Sequence, residues 1–426
     1  MTTYCRINSG GNFARLFSFS PFRHAGCMPL SDVPAQQRQN PITALAATNF
    51  RNDHRRFGIK RADRRAHMYI IGKTGTGKST LIANLARQDL VHGEGFALLD
   101  PHGDLAEHVL RLVPDERQAD LIYFNVPDTA HPVAFNPLES GQPALKPLVA
   151  SGLISVLKKI WAESWGPRME YILRNALLAL LDLPSSTLLD IPRLLDDLTF
   201  RRHVLVYVRN DQVRRFWLRE YEGYPARFRA EAIAPVQNKI GEFLVNPILR
   251  KIVGQPKSAF DLRRVMDDGK ILLVNLAKGK IGEDTSSLLG AMLVTKIGLA
   301  ALSRAELPEA GRKDFYLYAD EFPSFTTTSF AGMLSEMRKY RVGLVLAHQY
   351  IEQLDEAVRG AVLGNVGTMI AFRVGLSDAE VLEKEFYPEF TAGDFVNLPN
   401  YSLYLKLMVD GTVTRPFSAD TLPPVA

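Results

Sequence analysis

The sequence predicts an α/β fold in which a mainly parallel sheet carries helices on both faces and is interrupted by an all-α insertion. Short apolar segments alternate with amphipathic helical segments over residues 67–126 and again over 271–372. This alternation is typical of a doubly wound parallel sheet. A glycine-rich loop joins the first strand to the first helix, and residues 144–253 show almost only helical periodicity.

The individual elements follow from apolar runs bounded by turn residues. Strands are predicted at 67–71, 96–100, 121–126, 271–276, 315–319, 343–347 and 368–372. Helices are predicted at about 78–91, 104–113 and 285–304. The chain is predicted to end in a hairpin, with strands at 402–409 and 413–417 joined by Asp410-Gly411, a dipeptide that favours tight turns.

Composition excludes several classes of protein. The 426 residues are 46% hydrophobic and 23% charged, which is ordinary for a globular chain and excludes collagen-like, mucin-like and wholly disordered proteins. The only cysteines, Cys5 and Cys27, exclude a disulfide scaffold and a Cys-rich zinc site. The longest apolar candidate, 288–302, contains Lys296, so we expect no transmembrane helix and a cytoplasmic location.

Positive charge is concentrated near the amino terminus. Residues 1–67 contain eleven Lys or Arg and three Asp, a net charge of +8, so the rest of the chain carries −3 of the total of +5. A basic segment can contact phosphates or an anionic membrane. It can equally remain a solvated, disordered tail, and the sequence leaves both alternatives open.

Residues 72–79 match the pattern G-x-x-x-x-G-K-[ST] between a strand and a helix. Glycines let successive backbone N–H groups point at an anion, and the helix amino terminus adds its positive dipole end. The lysine reaches the β- and γ-phosphates and the serine hydroxyl binds Mg²⁺. The residues expected to bind nucleotide are Gly72, Lys73, Thr74, Gly75, Thr76, Gly77, Lys78, Ser79 and Thr80, called here the phosphate-binding loop. The expected ligands are ATP and Mg²⁺.

Two carboxylates follow the apolar strand at 315–319. Asp320 is expected to hold Mg²⁺ together with Ser79, and Glu321 to act as the general base that activates water. The adjacent Glu indicates ATP hydrolysis rather than phosphorylation of a small molecule. A solvated turn is the alternative interpretation.

Polar residues also follow the neighbouring strands. Gln349 is expected to sense the γ-phosphate and hold the attacking water, or else to cap the next helix, whereas His348 is expected to be structural. Asp104, in the segment 100–104, either caps a helix or lies at the ligand-binding edge of the sheet.

Together these motifs resemble the HerA–FtsK superfamily, and within it most nearly the conjugative coupling proteins of type IV secretion systems (the TraD/TraG-like group). The similarity covers roughly residues 58–426 and rests on GKTGTGKST, FALLDPHGDL, YLYADEFPSF, LVLAHQYIEQL and GTMIAFRVGLSDAEVLEKEF. The resemblance implies a RecA-like P-loop NTPase core with an all-α insertion. The domains expected are a basic, flexible segment at 1–57, a nucleotide-binding domain at 58–140 and 263–426, and an all-α insertion domain at 141–262.

The resemblance also implies a mode of action. Such proteins work as ring hexamers that move DNA through the centre, with ATP between subunits and an arginine supplied by a neighbour. Arg373 matches that arginine, with Arg338 and Arg341 as alternatives, and a guanidinium suits the charge of the phosphoryl transition state. Coupling proteins carry amino-terminal transmembrane helices, and we expect none in this sequence. The chain is therefore expected to be either a soluble variant or a protein that a membrane-anchored partner recruits to the inner face of the cell membrane.

The expected substrate is DNA, in single-stranded form and without sequence preference. In the insertion, basic residues interleave with Trp161 and Trp165 and either contact DNA or form an ordinary amphipathic helix. These basic residues are Lys158, Lys159, Arg168 and Arg174. A secretion ATPase acting on protein and a nucleotide-dependent assembly module are the alternative functions.

Overall fold

The computed structural model describes residues 42–139 and 141–424. Its strands in chain order are β1 (Ile42–Thr48), β2 (Arg56–Lys60), β3 (Met68–Ile71), β4 (Gly95–Asp100), β5 (Leu121–Asn125), β6 (Ile271–Asn275), β7 (Phe315–Ala319), β8 (Val342–His348), β9 (Thr368–Ala371), β10 (Ser402–Lys406), β11 (Met408–Val409), β12 (Thr412–Val413) and β13 (Phe417–Thr421). All but β11 and β12 form one sheet of 11 strands in the order β2-β1-β13-β10-β9-β3-β8-β7-β4-β6-β5. The seven strands from β9 to β5 are parallel and the other four are antiparallel, which confirms a mainly parallel sheet.

The α-helices surround this sheet. In chain order they are α1 (Arg61–Arg64), α2 (Lys78–His92), α3 (Asp104–Arg111), α4 (Lys146–Ile160), α5 (Pro167–Asp182), α6 (Asp190–Asp196), α7 (Leu198–Tyr207), α8 (Asp211–Arg215), α9 (Ala226–Val245), α10 (Pro247–Val253), α11 (Leu262–Asp268), α12 (Lys278–Ile281), α13 (Glu283–Ser303), α14 (Thr328–Met337), α15 (Glu356–Asn365), α16 (Leu376–Phe386) and α17 (Ala392–Val396).

Both faces of the sheet are covered, as the near-continuous apolar strands require. Alternate side chains of β3 point to opposite faces: Ile70 joins the cluster that contains Ile82 of α2, and Tyr69 joins the cluster that contains Met292 of α13. The two clusters place helices on both faces, so this part of the fold prediction is confirmed.

Helix α13 lies between the sheet and the insertion. In the described ranges, the segment Glu283–Glu306 is the one helical stretch long and apolar enough to cross a membrane, but 78% of its most apolar window is buried inside the protein. It packs closely on α4, since a Cβ added to Gly152 would lie 2.4 Å from Thr295 Cγ2. Its apolar character is therefore explained by burial between two layers.

Every regular element between β5 and β6 in the described ranges is helical, as the periodicity predicts. The apolar side chains of these helices belong to the same buried cluster as one face of the sheet, for example Leu177 and Trp217 with Leu317. The insertion therefore shares its hydrophobic core with the sheet.

The predicted boundary at residue 58 is wrong for residues 42–57. Residues 42–48 form β1, which pairs with β13, and β2 pairs with β1, so this segment extends the sheet. Leu45, Ala46 and Phe57 are buried there, and their burial gives a reason for the order. Residues 1–41, with both cysteines and the first four arginines, lie outside the described residues.

Candidate nucleotide-binding site

The residues singled out in the sequence meet at one edge of the sheet. Strands β9, β3, β8 and β7 are successive neighbours and run parallel. Their carboxyl ends therefore lie side by side, about 4.8 Å apart, and carry in turn Arg373, the phosphate-binding loop, Gln349 and Asp320. A solvent-open cleft of about 180 Å³ lies there, lined by Thr74, Gly75, Gly77, Lys78, Ser79, Thr80, His102, Asp320, Glu321, Gln349 and Tyr401.

The phosphate-binding loop has the backbone that an anion cradle needs. Gly77, the residue before the first residue of α2, has φ 123°, a backbone conformation that residues other than glycine rarely adopt. A Cβ on Gly72 would lie 2.5 Å from Phe372 Cβ, so the loop can pass beside the end of β9 only with glycine there. The loop is held on both sides, because Gly72 N donates to His348 O and Lys73 N donates to Arg373 O.

Lys78 lies inside this loop. Its Nζ donates to Gly72 O at 2.5 Å and to Lys73 O at 3.2 Å, and its side chain is buried. Burial lowers the pKa of Lys78, and the carboxylates of Glu321 and Asp320 oppose that shift. A buried ammonium bound only by loop carbonyls is well placed for the charge of a phosphate.

Gln349 connects the phosphate-binding loop to the second carboxylate. Its Nε2 donates to Glu321 Oε1 at 2.6 Å, and its Oε1 accepts from the Thr74 hydroxyl at 2.8 Å. Both hydrogen bonds of the Gln349 side chain are thus made to residues that line the cleft, and neither is made to the start of the next helix. Glu321 is buried and has φ 47°, a sparsely populated conformation for a non-glycine residue that often marks functional sites.

Asp320 is buried beside Glu321. Burial, reinforced by the negative charges of Glu321 and Asp100, raises the pKa of Asp320 to about 7. Ser79 is exposed on the same cleft. One carboxylate and one hydroxyl fit a Mg²⁺ ion that keeps waters and phosphate oxygens as its other ligands. In ranges 42–139 and 141–424 no group of three or more His, Cys, Asp and Glu could build a metal site from side chains alone.

Asp100, rather than Asp104, supports the start of α3. Its two carboxylate oxygens accept from His102 N at 2.8 Å and from Ala106 N at 2.9 Å, while Asp104 is exposed and Gly103 occupies the cap position. The capping interpretation of Asp104 is therefore wrong, and the neighbouring aspartate performs that role.

His348 is structural, as expected. It is fully buried, and its Nε2 lies 2.6 Å from the Tyr69 hydroxyl. Burial lowers the pKa of His348 to about 3, so the ring is neutral at physiological pH.

Arg373 lies next to the site without lining the cleft of its own chain. Its Nη2 donates to Asn400 Oδ1 at 2.7 Å, and its side chain is partly exposed. The alternatives Arg338 and Arg341 precede β8 and thus lie at the opposite, amino-terminal edge of the parallel strands, where Arg341 donates to Arg312 O.

The basic residues near Trp161 and Trp165, which were predicted either to contact DNA or to form an amphipathic helix, have partners within the protein. Lys159 Nζ donates to Pro323 O and Thr326 O, and burial lowers its pKa to about 8. Lys158 and Arg174 both pair with Glu170. Arg168 lies over the ring of Phe228, and Trp161 packs in the core and stacks with Trp165. The structure thus favours the amphipathic-helix interpretation.

A second set of arginines on the insertion was missed. Five exposed side chains on and between α7 and the π-helical turn at Phe216–Tyr221 have no carboxylate partner in the described ranges: Arg202, Arg209, Arg214, Arg215 and Arg219, called here the arginine surface. Residues 198–219 contain six arginines and one acid, so charge density was the available signal. Tyr401 in the cleft was also missed, since no motif marks it.

No family model and no curated protein matches the sequence. Solved structures do match. The plasmid coupling protein TrwB, solved with a non-hydrolysable GTP analogue, is 17% identical with a TM-score of 0.61 over 86% of this chain and 87% of that one. The structure of TrwB with ADP and Mg²⁺ is 18% identical, with a TM-score of 0.60 over 88% of this chain and 89% of that one. VirB4 of Thermoanaerobacter pseudethanolicus is 14% identical, with a TM-score of 0.58 over 89% of this chain and 96% of that one. The chain therefore has the α/β P-loop NTPase fold of the conjugative coupling protein TrwB and of VirB4, as the sequence resemblance implied.

Proposed function

We propose that the chain is an ATP-hydrolysing motor that couples hydrolysis to the movement of DNA and works as a ring hexamer. The observation that carries the hydrolytic part is the hydrogen-bonded chain from Thr74 through Gln349 to Glu321. It joins the loop that would hold the γ-phosphate to the carboxylate that would activate water. A module that only binds nucleotide needs no such connection.

Each residue then has a defined task. Glu321 accepts the proton of the attacking water, and Gln349 holds the Glu321 carboxylate in position. Lys78 and the backbone N–H groups of the phosphate-binding loop balance the charge of the phosphates. Ser79 and Asp320 would hold Mg²⁺, which supplies further charge neutralisation when bound.

The arginine surface supports DNA as the substrate. Its five guanidinium groups are exposed and have no carboxylate partners in the described part of the chain, so they are free to neutralise phosphates. Exposed Tyr207, whose ring contacts His203, adds an aromatic face within the same stretch, which suits unstacked bases of a single strand. A protein substrate would offer no regular array of negative charge.

The hexamer and the trans role of Arg373 belong to the same proposal. Arg373 lies beside the phosphate-binding loop but does not line the cleft of its own chain. If it acts on a phosphate, the simplest arrangement is that a neighbouring subunit brings its own nucleotide to it. Recruitment to the inner face of the membrane by an anchored partner completes the proposal.

Hydrolysis and DNA binding are tested on the purified protein. ATP hydrolysis is expected to rise on addition of single-stranded DNA, and fluorescence anisotropy should show DNA affinity that falls steeply with salt. The steepness of the decline is the slope of log affinity against log salt concentration. The double variant Arg214→Ala/Arg219→Ala should reduce the magnitude of this slope by about 1.4, at roughly 0.7 for each lost contact with a single-strand phosphate. Arg193→Ala/Arg227→Ala is the matched control, since these arginines are exposed on the same insertion but paired with acids.

Three outcomes would contradict parts of the proposal. Equal DNA binding by the two double variants would exclude the arginine surface as the contact. Hydrolysis unaffected by DNA but stimulated by a protein substrate would favour a secretion ATPase, and negligible turnover by the assembled protein would favour a nucleotide-dependent assembly module.

A further inference from the structure

Tyr401 presents an aromatic ring to the cleft at the end of the phosphate-binding loop. Tyr401 is 52% exposed. A Cβ added to Gly77 would lie 3.2 Å from Tyr401 Cδ1, so the ring lies against the residue at which α2 begins. It offers the largest flat apolar surface among the described residues that line the cleft.

The backbone around Tyr401 is fixed relative to the phosphate-binding loop. Tyr401 N donates to Thr76 O at 2.8 Å, and Tyr401 O accepts from Thr421 N of β13 at 2.8 Å. The preceding residue, Asn400, accepts from Arg373, whose carbonyl accepts from Lys73 N. Tyr401 has φ 68°, a left-handed conformation that is unusual for an aromatic residue. The backbone that carries the ring is therefore positioned by the same loop that would bind the phosphates.

Two polar side chains of the cleft, those of Lys78 and Gln349, already bond to other groups of the protein. Lys78 is bonded to loop carbonyls, and Gln349 uses its amide on Glu321 and Thr74. These groups and Asp320 serve the phosphate end of a nucleotide. A half-exposed aromatic ring beside them matches the remaining part of that ligand, the base.

We infer that Tyr401 stacks on the base of the bound nucleotide and that the site recognises a purine nucleoside triphosphate by its flat face rather than by hydrogen bonds to its edge. This inference rests on the proposed nucleotide binding. It has a consequence for specificity, because every purine has a similar π-face. The site accepts ATP and GTP with similar affinity.

Calorimetric titration with Mg²⁺ and non-hydrolysable ATP and GTP analogues tests the inference, with inorganic tripolyphosphate as a ligand that has no base. Tyr401→Ala should lower the affinity for both nucleotides by about 5- to 150-fold, the range for loss of one base–aromatic stack. The affinity for tripolyphosphate should not change. Tyr401→Phe should bind within about twofold of the unmodified protein, because it keeps the ring. Tyr401→Gly should lower nucleotide affinity as much as Tyr401→Ala does. Because glycine adopts this φ without strain, the lower affinity of Tyr401→Gly cannot come from new backbone strain. Tyr171→Ala, which removes an exposed tyrosine of the insertion that has no proposed role in binding, is the control.

The results separate this inference from the proposed function. If the unmodified protein binds neither nucleotide nor tripolyphosphate, nucleotide binding itself is wrong. If Tyr401→Ala binds nucleotides normally, or loses tripolyphosphate as strongly as ATP, the ring does not bind the base. A strong preference of the unmodified protein for one purine would overturn recognition by the flat face.

Discussion

Replacing Gln349 by alanine is expected to slow hydrolysis without preventing ATP binding. The change removes the donor to Glu321 Oε1, at 2.6 Å, and the acceptor of the Thr74 hydroxyl, at 2.8 Å. Lys78 and the loop backbone, which would bind the phosphates, keep their own contacts. We therefore expect a loss in kcat with little change in nucleotide affinity.

The size of the loss follows from the bond to the carboxylate. A hydrogen bond to a charged group contributes about 1.5–3 kcal/mol. If Glu321 needs that bond to hold its orientation in the transition state, kcat should fall by about 10- to 150-fold. The conservative Gln349→Asn retains the amide but is one methylene shorter, so it should recover little of the activity.

Phosphate release at saturating ATP and binding of a non-hydrolysable analogue form the assay. Thr74→Val, which removes the hydroxyl at nearly constant volume, permits a double-mutant cycle. If the three side chains act as one unit, the double variant should lose less than the product of the two single losses. Hydrolysis by Gln349→Ala within twofold of the unmodified protein, or strictly independent effects, would refute this reasoning.

Two further predictions concern the neighbouring groups. Burial raises the pKa of Asp320 to about 7, so the folded protein binds its proton more tightly than the unfolded chain and loses stability as pH rises between about 4 and 7. Without Mg²⁺ and nucleotide, Asp320→Asn should therefore raise Tm more at pH 8 than at pH 5, and an equal gain at both would contradict that pKa. Arg373→Ala should lower kcat by about 10³-fold or more, and mixing it with Lys78→Ala subunits should restore some hydrolysis if the arginine acts on a neighbour's nucleotide. If verified mixed rings recover no hydrolysis, Arg373 does not act on a neighbour's nucleotide. If Arg373→Ala raises only KM, Arg373 instead supports nucleotide binding by holding Asn400, the residue before Tyr401.

The parallel strands and the phosphate-binding loop could be predicted because local sequence carries their signal. Residues such as those of β7 are buried on both faces and form continuous apolar runs, which end in polar residues at the cleft. The predicted turn at Asp410-Gly411 is also present, with φ of 49° and 78°. The predicted roles of Asp320, Glu321 and Gln349 stay predictions, although the structure brings the three residues together.

The edge of the sheet was missed because its strands depend on distant partners. The segment at 42–48 has small and polar residues among its apolar ones and no strong alternation. It becomes a strand by pairing with β13, more than 360 residues later, as in the register of Thr48 with Ala419. Local patterns contain no record of such a pairing.

The residues proposed to contact DNA and the nucleotide base could not be predicted from the sequence for a related reason. Helical periodicity separates two faces of a helix but does not tell which basic residue finds a partner. Arg201 is buried against Glu222, whereas the adjacent Arg202 is exposed. Tyr401 reaches the cleft only because β10 and β13 add to the sheet beside β9.

We propose above all that Glu321 is the general base of ATP hydrolysis in a DNA-dependent motor. The role of Glu321 is tested by the rate of phosphate release from ATP with Mg²⁺, measured with and without single-stranded DNA for the unmodified protein and for Glu321→Gln. Binding of a non-hydrolysable ATP analogue is measured for both proteins. We expect DNA-stimulated turnover in the unmodified protein, and intact binding with almost no turnover in Glu321→Gln. Equal rates in the two proteins, or a rate that DNA does not change, would contradict this proposal.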